Sequence, residues 1–483
     1  MLKSLYIDIR NRLRELIAGT EFDGKVFFVG GCCRDDIMGT EIKDIDISVA
    51  LPDGGIRLAM WLHESGYLAC EVSAFPEFHT AKFRLADFPD VELESVHTRK
   101  ESYPDRGSRN PVTDYGTHEE DCFRRDFTVN ALYQNISTGE IIDITGKGLD
   151  DIREQIIRTP SDPFVKFDED PLRILRCIRF AARFGWKIAQ ETFDAMRAMV
   201  PRMEILTPGR ISEEFMKMLS DGHPAMAMEL LKSTGAMHYV LPVFEQTYDM
   251  AQNKYHFGTV WDHTVAVLKE TAKQTDDVYV RLAALLHDIG KIVTRTVDAE
   301  GKVHFYKHEF MAMDMVRDIM KSLNLPNEEI ATVQFLVMHH MCAKNWGYEC
   351  ERMKDKSLRK LQHACRTWER FQDLMIIVYA DNMSHAQEYC MPHQSEVMLE
   401  RTRQMMQEGS AMFGYRPVLT GKEIMEIKGL APGPQIKKCQ DYLMALAFNN
   451  PLMLIQFLEI GKAQLRRHFT NSIVFLRNLY VIQ

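Results

Sequence analysis

The sequence lacks the features that mark exported, membrane-spanning and zinc-knuckle proteins. Its 483 residues contain no apolar run of about 18 residues, the length that a transmembrane helix needs. Charged residues interrupt the apolar N-terminal stretch and no cleavage signal follows, which argues against a signal peptide. The 10 cysteines are scattered without a Cys-x-x-Cys pair, so free thiols are expected rather than a disulfide framework. These absences predict a cytoplasmic protein that does not bind membranes.

An excess of positive charge is also missing. The formal net charge is −9, which argues against a protein that coats polyanions in general. Binding of nucleic acid through a local basic face stays open, because the local potential governs that contact. A chain of 483 residues is too long for one core and predicts about three or four domains.

Hydrophobic periodicity divides the chain into a mixed part and a helical part. Short apolar runs with Gly, Pro and Asp breaks predict strands at 26–29, 43–50, 68–73, 79–85, 90–96 and 141–144. Helical periodicity predicts helices at 4–19, 169–184, 190–200, 209–220, 224–234, 259–274, 278–289, 308–323, 327–340, 354–364 and 366–382. Residues 415–435 are rich in Gly and Pro and are predicted to form a loop before a last helical stretch.

A two-glycine turn and a pair of aspartates form the first candidate site. The apolar run at 26–29 ends at Gly30 and Gly31, and the next strand carries Asp44 and Asp46. Side chains alternate along a strand, so both carboxylates point to one face. Neighbouring carboxylates repel unless a cation lies between them, and Mg²⁺ that bridges carboxylates and phosphates is the usual solution. Because glycines let the backbone approach a phosphate at a helix start, the pattern predicts a nucleotidyl-transfer site.

Two further segments add candidates, each with a simpler alternative. Glu92 and Glu94 share one strand face, so either is a candidate third carboxylate, and the alternative is a half-exposed edge strand. Arg124 and Arg125 could bind a triphosphate in a bidentate way, and Asn130 could contact a ribose or phosphate. The alternative for this segment is a capped helix start with surface ion pairs.

Residues 168–186 combine carboxylates and guanidinium groups on one predicted helix face. The helix places Glu169 and Asp170 over a stripe of arginines that spans roughly 120°, namely Arg173, Arg176, Arg179 and Arg183. Carboxylates that accept from an amino group and arginines that donate to a ring nitrogen or carbonyl could read the edge of a base. The alternative is a salt-bridged surface helix.

Four motifs follow one another along the chain: Gly30-Gly31-x-x-Arg34-Asp35, Asp44-x-Asp46, Arg124-Arg125-Asp126-Phe127-Thr128-Val129-Asn130-Ala131 and Glu169-Asp170-Pro171-Leu172-Arg173. The series resembles the bacterial-type (class II) tRNA nucleotidyltransferase and poly(A) polymerase family, which includes the CCA-adding enzyme. The resemblance covers roughly residues 20–240. Cys33 departs from the pattern, because the family usually has an aliphatic residue before the arginine.

The resemblance implies roles for individual residues. Asp44 and Asp46 would hold two Mg²⁺ ions, with Glu94 as the third catalytic carboxylate. Gly30, Gly31 and Arg34 would hold the triphosphate with the help of Arg124 and Arg125. The incoming base would be read without a template by Glu169, Asp170 and Arg173, and the rest of the nucleotide-binding set is Asp126, Asn130 and Arg176.

A histidine–aspartate pair stands at the end of an apolar helix in the second half. His287-Asp288 precedes Ile-Gly-Lys, and such a pair by itself is more often structural. With its neighbours it resembles the HD phosphohydrolase family, whose metal ligands would be His263, His287, Asp288 and Asp381. Imidazole and carboxylate ligands suit Mn, Fe, Ni, Co or Zn, so the divalent transition metal stays unidentified. Candidates for a second metal or for substrate phosphate are His256, His308, His339 and His340.

Both resemblances together predict a template-independent tRNA nucleotidyltransferase that uses CTP and ATP on the tRNA 3′ end. The expected fold class is α+β. Its parts would be a polymerase-β-like head (1–145), a helical neck and body (146–250), an HD domain (251–390) and a helical tail (391–483). Lys437, Lys438 and 466–468 are candidate RNA contacts of the tail, or solvated charge. A poly(A) polymerase, a CC-adding or A-adding enzyme and a primary HD phosphohydrolase remain alternatives, and the oligomeric state is left open.

Overall fold

The computed structural model describes residues 3–105, 107–109, 111–416 and 419–449. The chain forms two compact units. One comprises the chain up to Glu245 together with Lys321–Leu325, and the other comprises Gln246–Met320 and the residues from Pro326 on. No helix in the described ranges is long and apolar enough to cross a membrane. The residues at 466–468 lie outside the described residues, and the four-part division of the chain stays a prediction.

The first unit contains strands and helices in alternation, followed by helices. Its strands are β1 (Val26–Val29), β2 (Ile45–Val49), β3 (Ser73–Phe75), β4 (Thr80–Phe83), β5 (Leu93–His97), β6 (Arg99–Ser102), β7 (Val112–Tyr115), β8 (Tyr133–Asn135), β9 (Ile141–Ile142), β10 (Ile156–Ile157) and β11 (Lys187–Ile188). Its helices are α1 (Lys3–Ile17), α2 (Gly31–Met38), α3 (Gly54–Glu64), α4 (His118–Phe123), α5 (Gly148–Glu154), α6 (Pro163–Glu169), α7 (Leu172–Phe184), α8 (Gln190–Met199), α9 (Pro208–Ser220), α10 (Pro224–Thr234) and α11 (Met237–Val240). Short 3₁₀ segments are Pro76–Phe78, Thr128–Asn130, Val200–Ile205 and Pro242–Thr247.

A seven-stranded sheet organises the head in the order β3-β4-β5-β2-β1-β8-β9. Strand β2 runs parallel to β5 and antiparallel to β1, and this register places Asp46 opposite Glu94. The central position of β2 therefore brings the second aspartate of the Asp-x-Asp motif beside a glutamate of the next strand.

The core of the head lies between this sheet and two helices. Helix α1 buries Tyr6 and Leu13, and the Tyr6 ring lies 4.9 Å from the ring of Phe28 on β1. Helix α3 buries Leu58 and Leu62. Burial of one face of each helix follows from the 3.6-residue period of their apolar residues. The polar side chain of Asp46 alternates with buried neighbours on β2 and so points away from this core.

The predicted single helix at 169–184 is wrong at its start. Helix α6 ends at Glu169 and α7 begins at Leu172, with Pro171 at the N-cap. Asp170 has an extended backbone (φ −140°, ψ 98°), as expected for a residue that precedes proline. The apolar face of α7 is buried as its period predicts, with Ile174, Leu175, Ile178, Ala181 and Ala182 fully inside.

The second unit is mostly helical. Its elements are α12 (Val260–Ala272), α13 (Val278–Leu286), α14 (Lys291–Thr294), β12 (Arg295–Val297), β13 (Val303–Phe305), α15 (His308–Ser322), α16 (Asn327–His339), α17 (Asp355–Cys365), α18 (Trp368–Met383), the 3₁₀ segment Gln387–Tyr389, α19 (His393–Gln407), α20 (Gly421–Lys428) and α21 (Pro434–Asn449). Val267, Ala284 and Ala380 join α12, α13 and α18 in one buried cluster, which fixes the helices that carry the histidine–aspartate motif.

The α+β class is confirmed, and the differences are local. The strand predicted at 68–73 is wrong, since the strand there is Ser73–Phe75. The hairpin of β6 and β7 and the strand β8 were not predicted. The predicted loop at 415–435 contains helix α20, which a capping box at Thr420 and Glu423 starts.

Candidate active site and metal centre

The two-glycine turn forms one wall of a cleft in the first unit. Gly30 has φ 78°, a left-handed conformation that other residues adopt only with strain, and it caps the start of α2. A Cβ atom added to Gly30 would also lie 3.4 Å from Nη1 of Arg125. The turn therefore keeps the backbone and the Arg125 guanidinium close together at a helix N-terminus, where amide N–H groups are free to bind an anion.

The two carboxylates of the Asp-x-Asp motif line the cleft beside this turn, and a third lies on the neighbouring strand. Asp44 lies one residue before β2 and Asp46 lies on it, with both residues exposed and Ile45 and Ile47 buried between and after them. Glu94 is the residue opposite Asp46 on β5. Glu92 pairs with Lys82 and Arg84 at 3.1 and 3.4 Å, and Lys82 also lies 3.4 Å from Glu94. The register thus agrees with the family resemblance, which favours Glu94 over Glu92 as the third carboxylate.

The electrostatics of Asp46 indicate a site that needs a cation. Burial of the Asp46 carboxylate, repulsion from the Glu94 carboxylate and a smaller repulsion from Asp44 raise the pKa of Asp46 to about 6. The open cleft moderates this effect, because the Asp46 side chain still contacts solvent. Within the described ranges, the three carboxylates are not among the groups whose ligand atoms all lie within 4.8 Å of one another. Oxygen ligands of this kind suit Mg²⁺.

Basic side chains line the cleft around these carboxylates. The cleft has a volume of about 300 Å³. Its acidic lining residues are Asp35, Asp44, Asp46 and Asp126, and its basic lining residues are Arg34, Lys43, Arg125, Arg176, Arg179 and Arg183. A surplus of cations beside a carboxylate group is the charge pattern that a metal–triphosphate complex requires.

A hydrogen-bonded network holds two of these arginines. Arg34 pairs with Asp35 at 2.7 Å and donates to the side-chain oxygen of Asn130. Asn130 donates to Asp126 at 3.1 Å, and Arg176 donates to the other oxygen of Asp126 at 2.6 and 3.0 Å. Burial lowers the pKa of Arg34 although Asp35 opposes the shift. The network fixes both guanidinium groups in the cleft.

The neighbouring arginines of the Arg124-Arg125 pair lie in different surroundings. Arg125 lines the cleft and pairs with Asp121 at 2.9 Å. Arg124 is held by Asp121 at 2.7 Å and by Glu101 at 3.0 Å, and it is not among the residues that line this cleft. Only Arg125 of the pair is thus brought to the carboxylates, and the phosphate-binding role of Arg124 stays a prediction.

A second cleft of about 420 Å³ adjoins the first, because Arg125, Asp126 and Arg176 line both. It is also lined by Asp170 and Arg173 of the predicted base-reading set. Glu169 is not among its lining residues and instead pairs with Arg173 at 2.8 Å. The structure therefore gathers two of the three predicted base-reading residues on this cleft, and the third contacts it only through its ion pair with Arg173.

Arg109, from the loop between β6 and β7, was missed by the sequence reasoning. Its Nε and Nη2 atoms donate to the two oxygens of Asp170 at 2.9 and 3.1 Å. No motif surrounds Arg109, and only the hairpin brings it to Asp170. The carboxylate predicted to accept from a base is therefore already paired.

The histidine–aspartate motif forms a buried centre in the second unit. Nε2 of His263 lies 3.0 Å from Oδ1 of Asp381 and 3.5 Å from Oδ2 of Asp288. Nε2 of His287 lies 3.2 Å from the same Asp288 oxygen and 3.3 Å from Nε2 of His263. All four predicted ligands therefore converge, and this donor set suits a divalent transition metal.

The other oxygen of Asp288 faces a second group. Nε2 of His308 lies 3.2 Å from Oδ1 of Asp288 and 3.3 Å from Nε2 of His340. Burial, with His287 and His308 nearby, lowers the pKa of His340 to about 3, so its imidazole is neutral as a ligand must be. Asp288 joins both groups. His339 does not belong to the second group of ligands, since its Nδ1 lies 2.9 Å from the Phe335 carbonyl oxygen.

Two further residues contact this centre without having been predicted. Lys291 lies 2.6 Å from Oδ2 of Asp288. His385 lies four residues after Asp381, 3.9 Å from its Oδ1, and its ring lies 4.7 Å from that of His256. Lys291 is part of the motif and could have been chosen, whereas His385 carries no local signal. A cavity of about 530 Å³ leads to the centre and is lined by Tyr255, Tyr306, Tyr348 and Tyr389 among others.

Known families match three segments of the chain. The Poly A polymerase head domain matches residues 26–158, the probable RNA and SrmB- binding site of polymerase A matches 185–247, and the HD domain matches 260–367. The first match contains the carboxylates and the two-glycine turn. The third contains His263, His287, Asp288, His308 and His340 and ends before Asp381.

Full-length relatives and solved structures resemble the chain over most of its length. The Multifunctional CCA protein of Thioalkalivibrio sulfidiphilus is 31% identical over 372 residues, which is 74% of this chain and 84% of the relative. That of Azoarcus is 33% identical over 313 residues, or 62% and 70%. The CCA-adding enzyme of Bacillus stearothermophilus in complex with CTP is similar in fold, with a TM-score of 0.60, 20% identity and 88% of each chain covered.

Proposed function

The chain belongs to the bacterial-type tRNA nucleotidyltransferase and poly(A) polymerase family, and we propose that it adds C and A residues to the 3′ end of tRNA from CTP and ATP. The observation that carries the proposal is the pairing of Asp46 with Glu94 at the edge of a cleft lined by basic side chains. Relatives described as Multifunctional CCA proteins support the choice of CCA addition within the family.

In this proposal, Asp44, Asp46 and Glu94 hold two Mg²⁺ ions. Bound Mg²⁺ would lower the pKa of the terminal tRNA hydroxyl and offset the charge of the triphosphate. The chain itself positions the reactants. The backbone amides of the first turn of α2, with Arg34 and Arg125, bind the triphosphate so that its α-phosphate faces the 3′ hydroxyl. Asp126 and Asn130 act by holding the arginines.

Asp170 and Arg173 give this site a physical basis for choosing C and A. Both bases present an exocyclic amino group next to an unprotonated ring nitrogen on their pairing edge, whereas U and G present a carbonyl next to a ring N–H. A carboxylate accepts from the amino group and a guanidinium donates to the ring nitrogen. With U or G in the site, the Asp170 carboxylate would face the carbonyl oxygen of the base. Two acceptors would then face each other without a hydrogen-bond donor.

An end-extension assay tests this function. Transcripts of one tRNA that end without a tail, after C and after CC are incubated with each nucleoside triphosphate separately. We expect CTP to extend the first two ends and ATP to extend only the CC end, each by the expected number of residues. Long adenylate tails on all three ends would assign the chain to poly(A) polymerases, and addition of C alone or A alone would assign it to the CC- or A-adding enzymes.

We further propose that the second unit is a metal-dependent phosphohydrolase. The convergence of His263, His287 and Asp288 in a buried group supports a bound transition metal, which would supply hydroxide to attack a phosphate ester. In this proposal, Lys291 and His308 would contact the phosphate.

Phosphate release from nucleotides tests the second activity, with Ni²⁺, Co²⁺, Mn²⁺ and Zn²⁺ each added to metal-free enzyme. Asp288→Ala should abolish the release and leave tRNA extension unchanged. Release that survives this substitution would refute the assignment. If the chain released phosphate but extended none of the tRNA ends, its primary activity would be that of a phosphohydrolase.

A further inference from the structure

A third group of metal-type ligands lies in the head. Asp53, His79 and His97 bring one ligand atom each to within 4.8 Å of the others. Asp53 immediately precedes α3, His79 immediately precedes β4, and His97 is the last residue of β5. None of the three lines either cleft of the first unit described above, and none belongs to the motifs already assigned.

Sheet topology brings these distant residues together. Strands β4, β5 and β2 are neighbours, β2 and β5 are parallel, and β4 is antiparallel to β5. The ends of β2 and β5 and the start of β4 therefore meet at one edge of the sheet. His97 is three residues beyond Glu94, which places it about 10 Å along the strand and on the opposite face. The group is separate from the carboxylates of the transfer site.

The burial of His97 and its lack of hydrogen-bond partners indicate that its imidazole binds a ligand. The residue is only 3% exposed, yet neither ring nitrogen has a hydrogen-bond partner among the described residues. A buried imidazole without any partner is costly, because both nitrogens lose their bonds to water. Its ring stacks on that of His79 at 4.5 Å, and Nδ1 of His79 lies 2.6 Å from Oδ1 of Asp53.

The electrostatics of the group agree with a neutral nitrogen ligand. Burial, together with the neighbouring His79, lowers the pKa of His97. The imidazole is therefore uncharged at neutral pH, the form that binds a metal. The exposed Asp53 carboxylate supplies a negative charge at the surface end of the group.

We propose that Asp53, His79 and His97 bind one divalent transition metal ion of the zinc class, with water as the fourth ligand. Two imidazole nitrogens and one carboxylate oxygen form a donor set typical of Zn²⁺ and unsuited to Mg²⁺. The ion would connect the C-terminal ends of β2 and β5, the strands that carry Asp46 and Glu94. Its role is to fix the two strands that carry the transfer-site carboxylates.

Cobalt binding to the full-length chain tests the proposal. The HD centre is first removed as a competitor with the double variant His287→Ala/Asp288→Ala, and resident metal is stripped with a chelator. Co²⁺ is the probe, because its four-coordinate complexes absorb visible light much more strongly than the six-coordinate complexes that an all-oxygen site forms. We expect about one equivalent of strongly absorbing Co²⁺, displaced by Zn²⁺.

The exposed Asp53 and the half-exposed His79 provide variants that should fold normally. In the same background, His79→Gln and Asp53→Asn should each weaken Co²⁺ binding by roughly 100-fold or more, since loss even of groups behind the ligands costs about 10- to 100-fold. His63→Gln is the matched control, because His63 lies on α3 in the same sheet domain and pairs with Glu71 instead. It should bind as the background does.

Thermal unfolding supplies the second readout. Zn²⁺ should raise the unfolding temperature of the background and of His63→Gln, and should leave that of His79→Gln unchanged. Absence of strong Co²⁺ absorption in the background would overturn the proposal. So would equal Co²⁺ binding by His79→Gln and His63→Gln.

Discussion

Replacing Glu94 by Gln separates two effects of this carboxylate: its destabilisation of the metal-free chain and its contribution to transfer activity. Glu94 lies opposite Asp46 in register on a parallel strand, a spacing of about 4.8 Å. Their charges repel by about 1 kcal/mol if water screens them fully and by about 3.5 kcal/mol at an effective dielectric constant of 20. Asp46 is exposed and the Glu94 side chain is 44% exposed, so water screens the pair and the lower value applies. Glu94→Gln should then lower the pKa of Asp46 from about 6 by roughly one unit.

The sign of the stability effect follows from this shift. Without metal, relief of the repulsion stabilises the folded chain by about 1 kcal/mol above pH 6. Loss of the half-exposed contact between Glu94 and Lys82, 3.4 Å long, removes about 0.2–0.5 kcal/mol of that gain. The expected net result is a small rise in the unfolding temperature in chelator, together with a loss of transfer activity of about 100-fold or more because a metal-binding carboxylate is gone.

Glu92→Gln is the matched control, because it removes the same charge two residues away on the same face. Glu92 pairs with Lys82 and Arg84, so this variant should lose less than about 1 kcal/mol of stability and keep transfer within a few-fold. The assays are thermal unfolding with and without Mg²⁺ and AMP incorporation into tRNA that ends in CC. If Glu92→Gln lost transfer and Glu94→Gln kept it, the register argument would be refuted.

Three further predictions concern the same unit. Arg109→Ala should lower the KM for CTP and ATP by about 2- to 5-fold in steady-state kinetics, since an ion pair of about 0.5–1 kcal/mol no longer has to be broken before Asp170 binds a base. Arg176→Ala should destabilise the unit by about 2–3 kcal/mol in urea unfolding, because the Asp126 side chain, which is only 10% exposed, loses its charged partner. An unchanged midpoint would contradict this. The Mg²⁺ affinity measured from transfer activity should fall about tenfold per pH unit below about pH 6, because Asp46 becomes protonated there. Protonation of Asp46 also stabilises the metal-free folded chain, and this stabilisation is lost as the pH rises through about 6.

Local patterns were sufficient to predict the parts of the site that lie within one element. The alternation of buried Ile45 and Ile47 with exposed Asp46 is a property of a single strand. The Asp-x-Asp strand and the apolar face of α7 could therefore be predicted. The break between α6 and α7 was also readable in principle, since Pro171 disfavours helix at Asp170.

Contacts between distant elements could not be predicted. Strand alternation makes Glu92 and Glu94 equivalent, the family resemblance favours Glu94, and the pairing of β5 with β2 supplies the spatial reason. The ion pair between Arg109 and Asp170 spans a loop with no motif. His385 reaches the metal centre because α18 ends beside α12, through packing that a single sequence does not encode locally.

Asp46 is the residue on which the proposed function depends most, as a metal-binding carboxylate of a nucleotidyltransferase. The most direct measurement is the single-turnover rate of AMP incorporation into tRNA ending in CC, for Asp46→Asn against the unaltered chain at saturating Mg²⁺. Loss of a catalytic metal should cost about 4 kcal/mol or more, a fall of roughly 1,000-fold in rate. A rate for Asp46→Asn within a few-fold of the unaltered chain would contradict the account.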